Sequence, residues 1–237
     1  MRNVLVAATA GLSAAVLSFA VVGCGSGAKT DTKTSASESA TTSAAASSTA
    51  GGALPPPPTK EGGLKKTLHD YIVENEIAET PFDPGDPGTP TYDFTIPEGW
   101  GEVDQVPDWA YGAIVYTKAA DPTDPPTVTA VADRLTGDVE AVEVLQYAPG
   151  LLDDLEGFTP AGAPVRSSFS GFDSIEYSGT YMHEGKKRFI DEKTVVVPAR
   201  DGSFFVLQLN GDALDGEQAV VQDAMKAINQ NTKITAP

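Results

Sequence analysis

One thiol, two imidazoles and a large supply of carboxylates are the side chains of this 237-residue chain with chemistry to offer. The histidines are His69 and His183. A hydrolase needs a nucleophile with a base beside it, and neither histidine accompanies a Gly-x-Ser-x-Gly elbow. His69 falls beside an apolar position of a predicted helix and His183 at the tip of a predicted hairpin, so both read as solvated or edge-packed. The only cysteine, Cys24, lies near the N-terminus at the end of an apolar run, which leaves no thiolate for a metal or for thiol catalysis elsewhere in the chain. Carboxylates cluster at Asp121 with Asp124, at Asp153 with Asp154, and at Asp212 with Asp215 and Glu217. They could serve acid–base chemistry. The stretch from Asn210 to Glu217 has the wrong spacing for an EF-hand, and carboxylates gathered at a helix N-terminus explain it more simply. No cofactor and no metal is implied.

Two further groups have binding rather than catalytic character. Lys186, Lys187 and Arg188 form the single basic cluster, at the start of a strand that leaves a turn. They read either as a solvated tip that blocks edge pairing or as a docking contact for an anionic headgroup or partner. Trp100, Trp109, Tyr111 and Tyr116 crowd one region. They serve core and loop packing or form the walls of an apolar ligand groove.

The thiol itself has a distinct setting. Arg2 is followed by a mostly apolar run from Val4 to Val22, and Gly23 precedes Cys24. That is the outline of a secretory signal peptide with cysteine at the cleavage site. Val21-Val22-Gly23-Cys24 resembles the lipobox of bacterial lipoproteins, which implies diacylglycerol on the sulfur and Cys24 as the mature N-terminus. A membrane-spanning anchor fits less well, because Thr9, Gly11, Ser13 and Ser18 dilute a segment that is already short.

The chain divides into a leader (1–23), a linker (24–63) and a domain (64–237). Between Gly25 and Gly63 the only large aliphatic residue is Leu54, and such a segment buries too little apolar area to offset its ordering entropy. As a Gly/Ser-type coil it would span roughly 35 Å root-mean-square, stiffened at its far end by Pro55 to Pro58. Every aromatic residue beyond the leader lies in the domain, together with 30 of the 33 acidic and 12 of the 16 basic residues, a net charge of −18. That balance argues against nucleic acid and against lying flat on anionic lipid, both of which require a cationic face.

Periodicity supplies the elements that must position these groups. Leu64, Leu68 and Ile72 predict a helix over 63–75. Tyr92, Phe94 and Ile96 alternate with polar residues as a strand, and 113–117 and 127–135 read as two more. Gly137-Asp138 caps a second helix that buries Val142 and Leu145 and breaks at Pro149-Gly150. Phe158 plugs the entry to the next strand. The chain from Val165 to Asn210 reads as four strands, including a hairpin that turns at Glu184-Gly185-Lys186 and, over 204–209, a nearly all-apolar central strand. Asp215 and Gln218 form a capping-box-like pair before a last helix, whose inner face is Val221, Met225 and Ile228. The class is α+β, a largely antiparallel sheet flanked by helices.

Thr95-Ile96-Pro97-Glu98-Gly99-Trp100, Ala110 to Tyr116, Lys193 to Pro198 and Val206 to Asn210, taken in order with the Asp-Pro-Gly loop and Cys24, resemble the LpqN/LpqT family of mycobacterial lipoproteins and the related proline-rich secreted antigen. The resemblance implies a Mog1/PsbP-like fold, a group whose members mostly work by docking. It also implies an exported, lipid-anchored protein facing the periplasm or cell wall, in part secreted or surface-exposed. The role implied is non-catalytic: binding a partner protein, such as a lipid-transport protein, or an envelope lipid or glycolipid in support of envelope biogenesis. A hydrolase of esters or glycans and an antigen acting on host factors are the competing readings.

Overall fold

Alternating side chains in the second half of the chain build a sheet with two different faces. The structure, a computed structural model, describes residues 54–60 and 62–237. Three long strands form its centre: β8 (Phe172–His183), β9 (Lys186–Pro198) and β10 (Phe204–Leu214). They pair antiparallel in sequence order, and β5 (Thr127–Thr136) pairs with the far side of β10. Outward from β5 lie β4 (Gly112–Tyr116) and β3 (Trp100–Glu102), while β1 (Ala78–Pro81) pairs with the other end of β5. The opposite edge is formed on β8 by β6 (Thr159–Pro160) and β7 (Val165–Phe169). A separate two-stranded sheet joins β2 (Thr91–Asp93) to β11 (Lys233–Thr235).

Each face of the sheet has its own apolar cluster. On one, Val195, Val197, Phe205, Leu207 and Leu209 pack under α4 (Gln218–Asn231), which buries Val221, Ala224, Met225 and Ile228. On the other, Ile175, Val196 and Val206 pack under α1 (Leu68–Glu74) and α2 (Ala141–Tyr147). A four-residue helix, α3 (Gly150–Asp153), follows α2. The expected α+β class and the antiparallel sheet are therefore both present. No helix among the described residues is long and apolar enough to cross a membrane.

The structure alters several local expectations. The first helix begins at Leu68 rather than Gly63, because the capping box is made by Thr67 and Asp70. In α2 the buried residues are Val144 and Leu145, whereas Val142 is 46% exposed. Asp215 and Gln218 do not form a capping box. Asp215 pairs with Lys187 instead, and the Gln218 side chain accepts from the Gly216 N–H. The strand expected through Ile96 ends at Asp93 and stands outside the main sheet.

The largest difference concerns the linker, whose last part is laid on the domain as a strap. Pro57 is buried and Leu54 packs against the second cluster. The Lys66 N–H donates to the Pro58 carbonyl at 2.7 Å. Lys60 pairs with Asp70 at 2.8 Å and Asp154 at 3.4 Å. Prolines have little conformational freedom to lose on ordering, so this segment settles on the domain despite its low apolar content.

Candidate functional site: a polar cleft between helix and sheet

Strand β9 carries four successive polar residues, Asp191-Glu192-Lys193-Thr194, between Ile190 and Val195. All four are buried, with no more than 4% exposure. Side chains in a strand alternate between faces. Asp191 and Lys193 therefore lie on the α4 side, and Glu192 and Thr194 on the side of α1 and α2. At this level of the sheet neither face is apolar.

Helix α4 lies over β10, β9 and β5. It approaches β10 so closely that a Cβ on Gly211 would come within 2.4 Å of Val221 Cγ1. Strand β8 is left beyond the helix, and its residues on this side are small or polar: Ser174, Glu176, Ser178 and Thr180. The result is a cleft of about 300 Å³. Glu176, Ser178 and Asp191 form its strand wall, and Gln222, Met225, Lys226 and Asn229 its helix wall. The helical spacing of residues 222, 225, 226 and 229 puts them on one side of α4. A second depression of about 340 Å³ lies between Thr159-Pro160-Ala161, Thr180, Phe189 and the start of α4, and meets the first at Gln222.

The charges within the cleft are unevenly satisfied. Lys193 Nζ pairs with Glu176 Oε2 at 2.7 Å and reaches Asn229 Oδ1 at 3.2 Å and Ser167 Oγ at 3.4 Å. Asp191 Oδ1 is buried with no hydrogen-bond partner. Burial pushes the Asp191 carboxyl up to about 7, the Glu176 charge adds to the effect, and Lys193 opposes it. On the opposite face burial raises Glu192 to about 8. Its Oε1 accepts from Thr194 Oγ1 at 3.4 Å, while its Oε2 has no partner. Asp133, half-buried on β5, is raised to about 7 by burial and then by the charge of Glu79.

The residues picked out from sequence are distributed elsewhere. Trp100 and Tyr116 meet across β3 and β4 with ring centroids 5.6 Å apart. Tyr111 joins the first cluster, with its ring edge-to-face against Phe82 at 5.7 Å and Tyr92 at 5.4 Å. Trp109 is 40% exposed in the loop before β4. None of the four lines either depression. The basic cluster is not a free cationic tip. Arg188 is 5% exposed and clamped between Asp212 and Asp124, the latter at 2.8 Å, while Tyr181 donates to Asp212 at 2.7 Å. Lys186 pairs with Asp124 at 2.6 Å and Lys187 with Asp215 at 3.3 Å. Their counter-ions are distant in sequence, so the cluster looked unpaired. His69 is exposed on α1 and His183 ends β8. The leader and Cys24 lie outside the described residues.

The cleft residues themselves were missed. Their signal in the sequence was the polar run at 191–194, because four consecutive polar residues inside an apolar strand require polar surroundings on both faces.

Comparison with known proteins decides the family. Residues 64–235 match the family model described as "Probable lipoprotein LpqN". The chain belongs to the LpqN lipoprotein family. Lipoprotein LpqN of Mycobacterium tuberculosis is 47% identical over 227 residues, covering 96% of this chain and 98% of that protein. A crystal structure of LpqN involved in cell envelope biogenesis of M. tuberculosis shares 46% identity at a TM-score of 0.68, covering 71% of this chain and 97% of that one. LpqN thus matches both the sheet-and-helix domain and, at 227 aligned residues, a length well beyond it.

Proposed function

We propose that this chain is a lipid-anchored envelope protein that works by binding and not by catalysis, taking a partner protein or a lipid or glycolipid into the cleft beside α4 in support of envelope biogenesis. The observation that carries the reading is the cleft: a preformed opening whose buried Asp191 carboxyl has an unpaired oxygen, in a relative of a protein involved in cell envelope biogenesis. Convergent polar groups in a concave site are what ligand binding requires. Neither histidine lines the cleft.

Anchoring follows from the leader. A single acyl chain gives only marginal membrane binding, so the two chains of a diacylglycerol on Cys24, joined by any further acyl group, set residence at the bilayer. Labelled palmitate should enter the wild-type chain, and Cys24→Ser should abolish both labelling and membrane fractionation. Unchanged fractionation would reject the anchor. For the binding role, the protein should be purified gently from its own envelope and examined by native mass spectrometry, with crosslinking in the intact cell. A retained adduct or a reproducible crosslinked neighbour is expected, and the absence of both would reject the role.

A further inference from the structure

The two walls of the cleft carry opposite hydrogen-bonding character. The strand wall presents acceptors. Asp191 lies at the floor with an unpartnered Oδ1, and Glu176 stands at the rim with a side chain 44% exposed. The helix wall presents donors: Lys226, exposed and on the same line of α4 as the amides of Gln222 and Asn229. Lys193 is the cation whose charge acts on Asp191, and it is already held by Glu176, Asn229 and Ser167. It cannot also satisfy the floor.

We propose that this cleft is a site for a small zwitterion, a primary ammonium and an anionic group a few bonds apart, with the ammonium donating to Asp191 and Glu176 and the anion received by Lys226 and the two amides. The inference rests on the reading of this cleft as the binding site and names the chemistry it selects. A primary ammonium supplies three N–H donors on a compact charge, enough for the floor and rim carboxylates together. A lone cation would leave Lys226 facing like charge, and a lone anion would face Asp191 and Glu176. Either mismatch costs binding energy in a partly enclosed site. Two sources share this chemistry, an aminoalkyl phosphate such as a phosphoethanolamine headgroup and an α-amino acid terminus.

Burial holds Asp191 near the midpoint of its titration at neutral pH, so ligand binding should favour the ionised form. The charged groups facing it are Glu176 from β8, Lys193 from β9 and Lys226 from α4, while the facing position of β10 is Gly211. Affinity for an ammonium should therefore rise as pH increases through about 7.

The test is titration of the full-length protein with O-phosphoethanolamine and with glycine, followed by calorimetry and by amide chemical shifts. Ethanolamine, inorganic phosphate and phosphocholine serve as controls. At least one zwitterion should bind saturably with shifts confined to the cleft, and the tighter of the two identifies the source. Phosphocholine, which has no N–H on its cationic nitrogen, should bind at least tenfold more weakly. Asp191→Asn should lose at least tenfold while melting no lower than wild type, since its Oδ1 has no partner to lose. Lys226→Met should lose several-fold, selectively for zwitterions over ethanolamine. No saturable binding up to 10 mM, equal binding of phosphocholine, or an unaffected Asp191→Asn variant would overturn the proposal. Those results beside a native-mass adduct of other chemistry would reject the zwitterion and leave the binding role standing.

Discussion

Glu192 is a carboxyl held in the middle of a β-sheet with one oxygen unpaired. Its pKa is raised to about 8 by burial, far above the ordinary glutamate value, and Asp191 beside it is raised to about 7. Between about pH 4 and pH 8 the folded state therefore holds protons that the unfolded chain has released. The sign follows directly: stability from these groups is complete below their unfolded values and is lost as pH rises through 7 and 8. Thermal melting should be higher at pH 5.5 than at pH 8.5. Glu192→Gln should flatten that slope, with little effect at pH 5.5 and a gain on the order of 1–3 kcal/mol at pH 8.5. A melt series showing the same slope in both proteins would refute the assignment. Arg188 illustrates a different feature of single residues. Its partners Asp212 and Asp124 lie 24 and 64 positions away in the chain, so no local pattern reveals that it is neutralised.

At the scale of elements, the separation between α4 and the strands beneath it sets the shape of the cleft. Gly211 permits the close approach, since a methyl there would collide with Val221. Gly211→Ala should lift the helix and cost about 1–3 kcal/mol by overpacking. Chemical denaturation would measure this, and a cost below about 0.5 kcal/mol would show that the helix yields freely. The long strands β8, β9 and β10 were legible in the sequence, β8 from its period-two alternation, β9 as the returning arm of the hairpin and β10 from its apolar run over 204–209, although β10 continues to Leu214. β3 and β11, three residues each, carry no such signal and exist because neighbours hold them. The polar run at 191–194 was visible but its meaning was not, since it depends on which element covers each face. The start of α4 was misread because Asp215 bonds across the molecule to Lys187 rather than to its own helix.

For the whole molecule the decisive boundary is the strap. Leu54, Pro57 and the Lys60 ion pairs bind it to α1 and the region after α2. A chain beginning at Leu64 should melt roughly 3–8 °C below one beginning at Leu54, the loss expected for about 1–3 kcal/mol of apolar contact and ion pairing in a domain this size. Equal melting temperatures would show that the strap lies on the surface without stabilising it. The bonds from Lys60 and Thr67 outweigh burial and hold Asp70 down at about 2, so its share of stability is complete above pH 4 and fades as pH falls towards 2. Acid should therefore loosen this corner only well below the range in which the sheet carboxyls titrate.

Leu54 joins the cluster on the α1 and α2 side, whereas the cleft opens on the α4 side. With the proposed anchor at Cys24, the leash is fastened to one pole of the globule and the mouth sits at the other. An occupant of the proposed site is therefore held on the face of the sheet away from the strap, with the thickness of the domain between it and the segment that leads to the proposed anchor.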